Sequence, residues 1–271
     1  MPVRLDQALV ARGLARSRTH AAALIAEGKV TSAGKVLAKA SLQVDDDRDL
    51  AVEHDEQDTY ASRAGHKLAG ALNAFPEVTV EGKRCLDAGA STGGFTDVLL
   101  RRGAASVVAV DVGHGQLVPH LRDDPRVTVH EGMNVRYMEP ADIGGPAALT
   151  VADLSFISLT LVVQPLAQCT EPGGDLVLMV KPQFEIGKDR LGRTGVVTSG
   201  RERRLAVEKV ALAAFDAGLD LCGLAASPLP GQDGNVEYFL WIRRRIGTDL
   251  PKIEERGAAV AALLGRIWPN H

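Results

Sequence analysis

The stretch CLDAGASTGGFTDVL, residues 85–99, limits the possible folds more than any other part of the chain. Cys85 to Asp87 reads as a short apolar strand, Gly89, Gly93 and Gly94 as a turn, and the run from Phe95 as a helix. About twenty residues further on, as the dinucleotide-binding spacing requires, SVVAVDVG reads as a second buried strand ending in Asp111. A glycine-rich turn between strand and helix, followed by an acid at the tip of the next strand, begins a parallel α/β sheet that holds an adenosine cofactor. The acid accepts the ribose hydroxyls.

The same residues contain Gly89-x-Ser91-x-Gly93, the spacing of a hydrolase nucleophile elbow. That reading needs an acid and then a histidine later in the chain. Histidines stand at 20, 54, 66, 114, 120, 130 and 271, none usefully beyond the fourth predicted strand. A dinucleotide is harder to dismiss, but Ser91 occupies the place of the second glycine in Gly-x-Gly-x-x-Gly. A pyrophosphate needs close backbone approach at a helix N-terminus. S-adenosylmethionine (SAM) has no phosphate and needs only a small-residue shelf, so it suits Asp87 to Gly94 with Asp111 better. Gly89, Ala90, Ser91, Gly93 and Gly94 are shelf candidates, although each could serve only the turn. Asn134, in HEGMNVR, either contacts the adenine from the loop after the third strand or is an ordinary loop residue.

Two more strands complete the rim. ALTVADLSFISL ends a strand at Asp153, and DLVLMVKPQFEIG ends another at Lys181. Ligands of open parallel sheets sit outside the carboxyl ends of the strands, so Asp87, Asp111, Asp153 and Lys181 should share one edge. After a helix rich in Ala and Leu, GNVEYFLWIRRR alternates as a strand from Glu237, which would close the crevice in an antiparallel last hairpin. The fold class is therefore α/β, a Rossmann-like SAM-dependent methyltransferase sheet with helices on both faces. No Asn/Asp-Pro-Pro-aromatic segment is present, which argues against an exocyclic base nitrogen as methyl acceptor. Cys85, Cys169 and Cys222 are too far apart for covalent carbon methylation, a disulfide or a metal site, and read as buried residues of a reducing cytosol.

The first 40 residues carry seven Lys/Arg against Asp6 and Glu27, whereas the whole chain has a formal net charge of −3. A basic module on an acidic body follows. Leu5, Ala8 and Leu9 form the stripe of one helix ended by Gly13. Ser17 caps a second with Ala21, Leu24 and Ile25, closed by Gly28. KVTSAGKVL reads as a hairpin turning near Ser32 to Gly34, with Leu50 to Val52 as a later strand. This small α+β unit resembles the S4-like RNA-binding domain, and Arg4, Arg12, Arg16, Arg18 and Lys29 are its candidate RNA contacts. A solvated charged face is the plainer alternative. Residues 45–58 hold eight acids and one arginine and end as a linker, so the domains expected are 1–58 and 59–271. Arg190, Arg193, Arg201, Arg203 and Arg204 form a second basic region, equally an RNA path or a solvated loop. The tail, 249–267, reads as an amphipathic helix packed on the body.

Together, HKL, LDAGASTGGFTDVL, VADLSFISL, VKPQFEIGK and GNVEYFLW resemble the TlyA family of RNA methyltransferases, which join an S4-like domain to an FtsJ-like catalytic domain. The resemblance covers about residues 2–245. It implies a cytoplasmic enzyme that 2′-O-methylates cytidine in ribosomal RNA, commonly in both subunits, with SAM as cofactor and no metal. The family's Lys-Asp-Lys-Glu set carries over to Lys67, Asp153, Lys181 and Glu237. Lys181 is the candidate base, and Asp153 and Glu237 are assigned to orienting the lysines. One departure is Ala61, where relatives carry valine in the linker. The rivals are a non-catalytic ribosome assembly factor and a membrane-active haemolysin, a name attached to this family. No apolar run reaches the roughly 18 residues that span a bilayer.

Overall fold

The computed structural model describes residues 2–15, 18–45, 47–52, 60–187, 191–192, 194–247 and 252–269. The chain divides into two compact units, Met1–Thr59 and Tyr60–His271.

In the first unit a short strand β1 (Val3–Arg4) leads into α1 (Leu5–Ala11), and α2 (Arg18–Ala26) follows. Leu5, Ala8 and Leu9 of α1 pack with Ala21, Leu24 and Ile25 of α2 into one apolar cluster. Gly13 and Gly28 have φ of +70° and +74°, the left-handed conformation that ends a helix cheaply only at glycine. Strands β2 (Val30–Ser32) and β3 (Lys35–Val36) pair across Ala33 and Gly34, both with positive φ, as a two-residue hairpin requires. β4 (Gln43–Val44) pairs with β1, and β5 (Ala51–Val52) pairs with β2. The β1–β4 pairing has no counterpart in the sequence reading, because two-residue strands carry no periodicity. Ser17, expected to cap α2, lies outside the described residues.

The second unit begins with α3 (Ala64–Ala74) and continues through β6 (Arg84–Ala88), α4 (Gly94–Arg101), β7 (Ser106–Asp111), α5 (Pro119–Arg122) and β8 (Val127–Glu131). It goes on with β9 (Ala147–Ala152), α6 (Val163–Gln168), β10 (Thr170–Val180), α7 (Pro182–Glu185), α8 (Gly200–Asp216), β11 (Leu219–Ala226), β12 (Tyr238–Arg244) and α9 (Arg256–Leu264). Seven strands form one sheet in the order β11-β12-β10-β9-β6-β7-β8, antiparallel only where β12 meets β10 and β11. Along β10, Leu176, Leu178 and Val180 enter one core while Val177 and Met179 enter the other. Helices α3, α4 and α5 cover the second face, and α6, α8 and α9 the first. Both faces are buried, which is why these strands read as continuous apolar runs.

Three strands stop one residue short of, or past, their expected ends, while β7 ends at Asp111 as expected. β6 runs through Asp87 to Ala88, β9 ends at Ala152 and β10 at Val180, so Asp153 and Lys181 are the first residues beyond their strands. Helix α8 starts at Gly200, where the Ser199 hydroxyl accepts the Glu202 N–H at 3.3 Å. The tail helix is shorter than expected, but Val260, Leu263 and Leu264 do pack into the body. Among the described residues no helix is long and apolar enough to cross a membrane.

Candidate active site

The chain leaves the sheet in opposite directions from β6 and β9, which lie side by side, and this switch point opens a crevice at their carboxyl ends. Register fixes what meets there. Ala88 is opposite Val110 on one side and Ala152 on the other, so Gly89, Asp111 and Asp153 come level. Val180 faces Tyr238, which sets Lys181 beside Glu237 across the antiparallel pair.

The crevice holds two adjoining cavities. The larger, about 510 Å³, is lined by Gly89, Ser91, Asp111, Asn134, Asp153 and Phe156 among others. The smaller, about 150 Å³, adds Ala90, Gly94 and Lys181, together with Ser62 and Ala64 from the start of the unit. Backbone passes close by at Gly89, where a Cβ would lie 2.6 Å from the Asp153 carbonyl oxygen. Gly93 is different. Its φ is +100°, and a Cβ there would run into Leu117 and Leu121, so it serves the turn and lines neither cavity.

The two expected cofactor carboxylates also differ. Asp111 stays at the crevice wall, its oxygens accepting the Ser91 N–H at 2.8 Å and the Gly113 N–H at 2.7 Å. Asp87 is fully buried and lines neither cavity, because β6 carries it beneath the turn. Its Oδ2 accepts the Thr96 hydroxyl at 2.6 Å, while Oδ1 has no hydrogen-bond partner among the described residues. Burial pushes the Asp87 carboxyl up to about 7, with nearby Asp153 and Asp111 adding to the Thr96-opposed rise.

A pH-dependent cost follows. Between the ordinary carboxyl value of 3.8 and about 7 the folded chain holds a proton that the unfolded chain has released. Stability from this group is therefore fully present below 3.8 and is lost as pH rises through about 7. Asp87→Asn cannot ionise, so its stability relative to the parent should improve by roughly 3 kcal/mol between pH 5 and pH 8. Thermal melts of the two proteins at both pH values measure this; an unchanged difference would remove the linkage.

Two lysine–carboxylate pairs stand where β10 and β12 meet this end of the sheet. Lys181 Nζ lies 2.6 Å from Asp153 Oδ1 and donates to the Ser155 hydroxyl at 2.9 Å. Lys67 Nζ, from α3, lies 2.5 Å from Glu237 Oε2, and both side chains are nearly sealed from solvent. Lys67 lines neither cavity. The linker residue Ala61 is buried, and its backbone N–H donates to Asp97 on α4 at 2.8 Å, an anchor that does not depend on its side chain. Asn134 lines the larger cavity while its side chain accepts the Arg136 N–H at 3.0 Å.

Sequence reasoning missed Thr96, Ser155 and Asn235. Asn235 is buried, and its amide ties Val197 N–H and Gly195 C=O to the hairpin that presents Glu237. Serine in DLSF and asparagine in GNVE were visible as polar residues at strand ends, but their partners are distant in sequence.

In the first unit Arg4 and Arg18 both grip the buried Asp6, at 3.0 and 3.1 Å. Arg12 donates to the carbonyls of Arg48 and Asp45, and Lys29 pairs with Glu27 at 2.6 Å. Arg4 and Arg18 keep 40% and 58% of their side chains exposed. Arg16, like Arg190 and Arg193 of the second basic region, lies outside the described residues. Arg204 pairs with Glu208. The thiols of Cys85, Cys169 and Cys222 are pushed up to about 12, 11 and 11 by burial, which suppresses their reactivity.

A doubly wound sheet with a crevice at its switch point and lysine–carboxylate pairs beside it has the architecture of a Rossmann-like methyltransferase. Residues 60–244 match the FtsJ-like methyltransferase family and residues 3–49 the S4 domain. The chain belongs to the TlyA family of FtsJ-like methyltransferases. It is 54% identical over 240 residues to the 16S/23S rRNA (cytidine-2′-O)-methyltransferase TlyA of Mycobacterium tuberculosis, covering 89% of each chain. It is 36% identical over 239 residues to Hemolysin A of Brachyspira hyodysenteriae, covering 88% of this chain and 98% of that one. A solved Streptococcus thermophilus structure that carries a hemolysin name aligns with a TM-score of 0.71 at 36% identity, over 99% of this chain and 98% of that one.

Proposed function

We propose that this methyltransferase uses SAM to methylate the ribose 2′-hydroxyl of cytidine in ribosomal RNA, in one or both subunits, and works in the cytoplasm where ribosomes are. The observation that carries the reading is the Lys181–Asp153 pair at the wall of the crevice. The crevice fits SAM on its own chemistry. Its charged lining is Asp111, Asp153 and a lysine already paired with Asp153, which suits an uncharged adenosine and a cationic centre but not a pyrophosphate. Asp111 would hold the ribose hydroxyls, Asn134 would meet the adenine, and Gly89, Ala90, Ser91 and Gly94 would support the amino-acid tail. SAM supplies an activated methyl group when bound.

The protein's part is then alignment and proton removal. Positioning of two reactants can contribute roughly 7–11 kcal/mol. Lys181 Nζ is placed to take the proton of the 2′-hydroxyl, and Asp153 and Ser155 aim it. Lys67 and Glu237 brace the neighbouring hairpin end against α3. The first unit would hold RNA through Arg4 and Arg18, whose side chains stay partly exposed beside Asp6 and can meet phosphates, a salt-sensitive contribution. A non-catalytic assembly factor would need neither the crevice nor the paired lysines. The test is labelled SAM with separated, unmodified ribosomal subunits, followed by mapping of the product. Label on a cytidine ribose is expected; no transfer, or label on a base, would overturn the proposal.

A further inference from the structure

Glu185 takes no part in the cluster described above, yet it is buried, at 3% exposure. It closes α7, four residues past Lys181. Its Oε1 accepts the Leu159 N–H at 2.7 Å, and its Oε2 accepts the Ser158 hydroxyl at 2.5 Å. Ser158 and Leu159 belong to the segment that leaves β9 through Asp153. The two segments carrying the Asp153–Lys181 pair are therefore joined twice, once by the pair and once by Glu185.

The loop between these ties needs an anchor. Phe156 has φ of +64°, a left-handed conformation that costs a non-glycine residue roughly 1–2 kcal/mol. Such a residue persists only where its surroundings over-determine it. The sheet fixes one end of the loop, through the Asp153 N–H to the Ala88 carbonyl at 3.1 Å. Glu185 grips the other end. Ser155, whose hydroxyl takes the Lys181 hydrogen bond, lies between. Ser158 Oγ accepts the Thr160 N–H at 3.3 Å, which leaves its own proton for Glu185.

Both bonds run towards Glu185, so the site needs two acceptors. A carboxylate offers two; a glutamine offers one acceptor and turns a donor on the other partner. Burial pushes the Glu185 carboxyl upward, and the Ser158 and Leu159 bonds, with Lys209, pull against it. Lys209 Nζ itself donates to the Glu185 backbone carbonyl at 2.9 Å and tethers α7 to α8.

We propose that Glu185 is a positioning residue for methyl transfer: it holds the far end of the 154–157 loop and so sets Ser155 and Asp153 against Lys181. This rests on the reading of Lys181 as the proton acceptor.

The test compares the full chain with Glu185→Gln, which preserves volume, Ser158→Ala, and the two combined. Hydrogen–deuterium exchange over residues 153–160, on the protein alone, reads the loop without reference to activity. Glu185→Gln is expected to speed that exchange by about tenfold while other peptides keep their rates. With ribosomal subunits and SAM, kcat should fall about tenfold with KM for the subunit within about twofold, and the pH–rate midpoint should move. The double variant should lose less than the two single losses combined, because Glu185→Gln and Ser158→Ala share the Ser158–Glu185 contact. Unchanged exchange, an unmoved pH–rate midpoint, or losses that add would overturn the role. If the parent chain transferred no methyl to RNA, the function proposed above would fall, while the exchange result would still decide whether Glu185 holds the loop.

Discussion

Replacing Lys181 with alanine is expected to lower methyl transfer by about 10²- to 10⁴-fold, the usual worth of a positioned base. SAM affinity should stay within a few-fold, because Lys181 only borders the smaller cavity and the larger one is built without it. Lys181→Arg separates two roles. An arginine keeps the positive charge beside Asp153 but cannot be deprotonated in a protein. If Nζ accepts the hydroxyl proton, arginine should be as poor as alanine; if it only neutralises Asp153, arginine should recover much of the rate. Single-turnover transfer of labelled methyl, beside equilibrium dialysis with SAM, measures both. Activity of the alanine variant within about tenfold of the parent would remove Lys181 from the chemistry.

The second large effect concerns stability. Lys67 and Glu237 are 8% and 3% exposed at their side chains, so each is the other's main compensation for lost water. Lys67→Met keeps the length of the side chain and strands a carboxylate in the interior, which should destabilise the fold by about 3–5 kcal/mol. Adding Glu237→Gln removes the stranded charge. The double variant should regain most of that loss, since a buried ion pair is often replaced by neutral groups at little net cost. It should not regain activity if the pair aligns the hairpin end beside Lys181. Urea denaturation of the single and double variants closes the cycle. A Lys67→Met loss below about 1 kcal/mol would show that water reaches the pair and that the interior argument is wrong.

Local chemistry made part of this site legible. Apolar runs of strand length, each ending in Asp or Lys, announced β6, β7, β9 and β10, because strands buried on both faces leave little room for polar residues until they near the sheet edge. The turn after β6 was legible for the same reason, since Gly89 and Gly93 occupy conformations that other residues reach only with strain. These local features brought Asp111, Asp153 and Lys181 to one edge before any contact was known.

Other assignments depended on partners far away in the chain. Asp87 and Asp111 look alike as acids at the ends of neighbouring strands. One lies sealed beneath the turn and the other faces the crevice, because β6 reaches a residue beyond Asp87 whereas β7 ends on Asp111. Gly93 and Gly94 are adjacent, but only Gly94 reaches the smaller cavity. The arginines of the first unit read as an open basic face, yet Asp6 gathers two of them. No spacing rule connects Glu185 to Ser158 or Asn235 to Val197.

Burial and turn formation are decided within a few residues, so the α/β sheet, the order of its strands along the chain and the chemical groups at their ends are written in local stretches of amino acids. Tertiary structure alone decided which of those groups face the crevice, which pair with one another and which serve only to hold a loop. Lys67 meets Glu237 across 170 residues of chain because β12 returns antiparallel to β10 in one register and α3 packs over that end. A register is fixed by the packing of two whole faces at once, and no short stretch of residues contains that information.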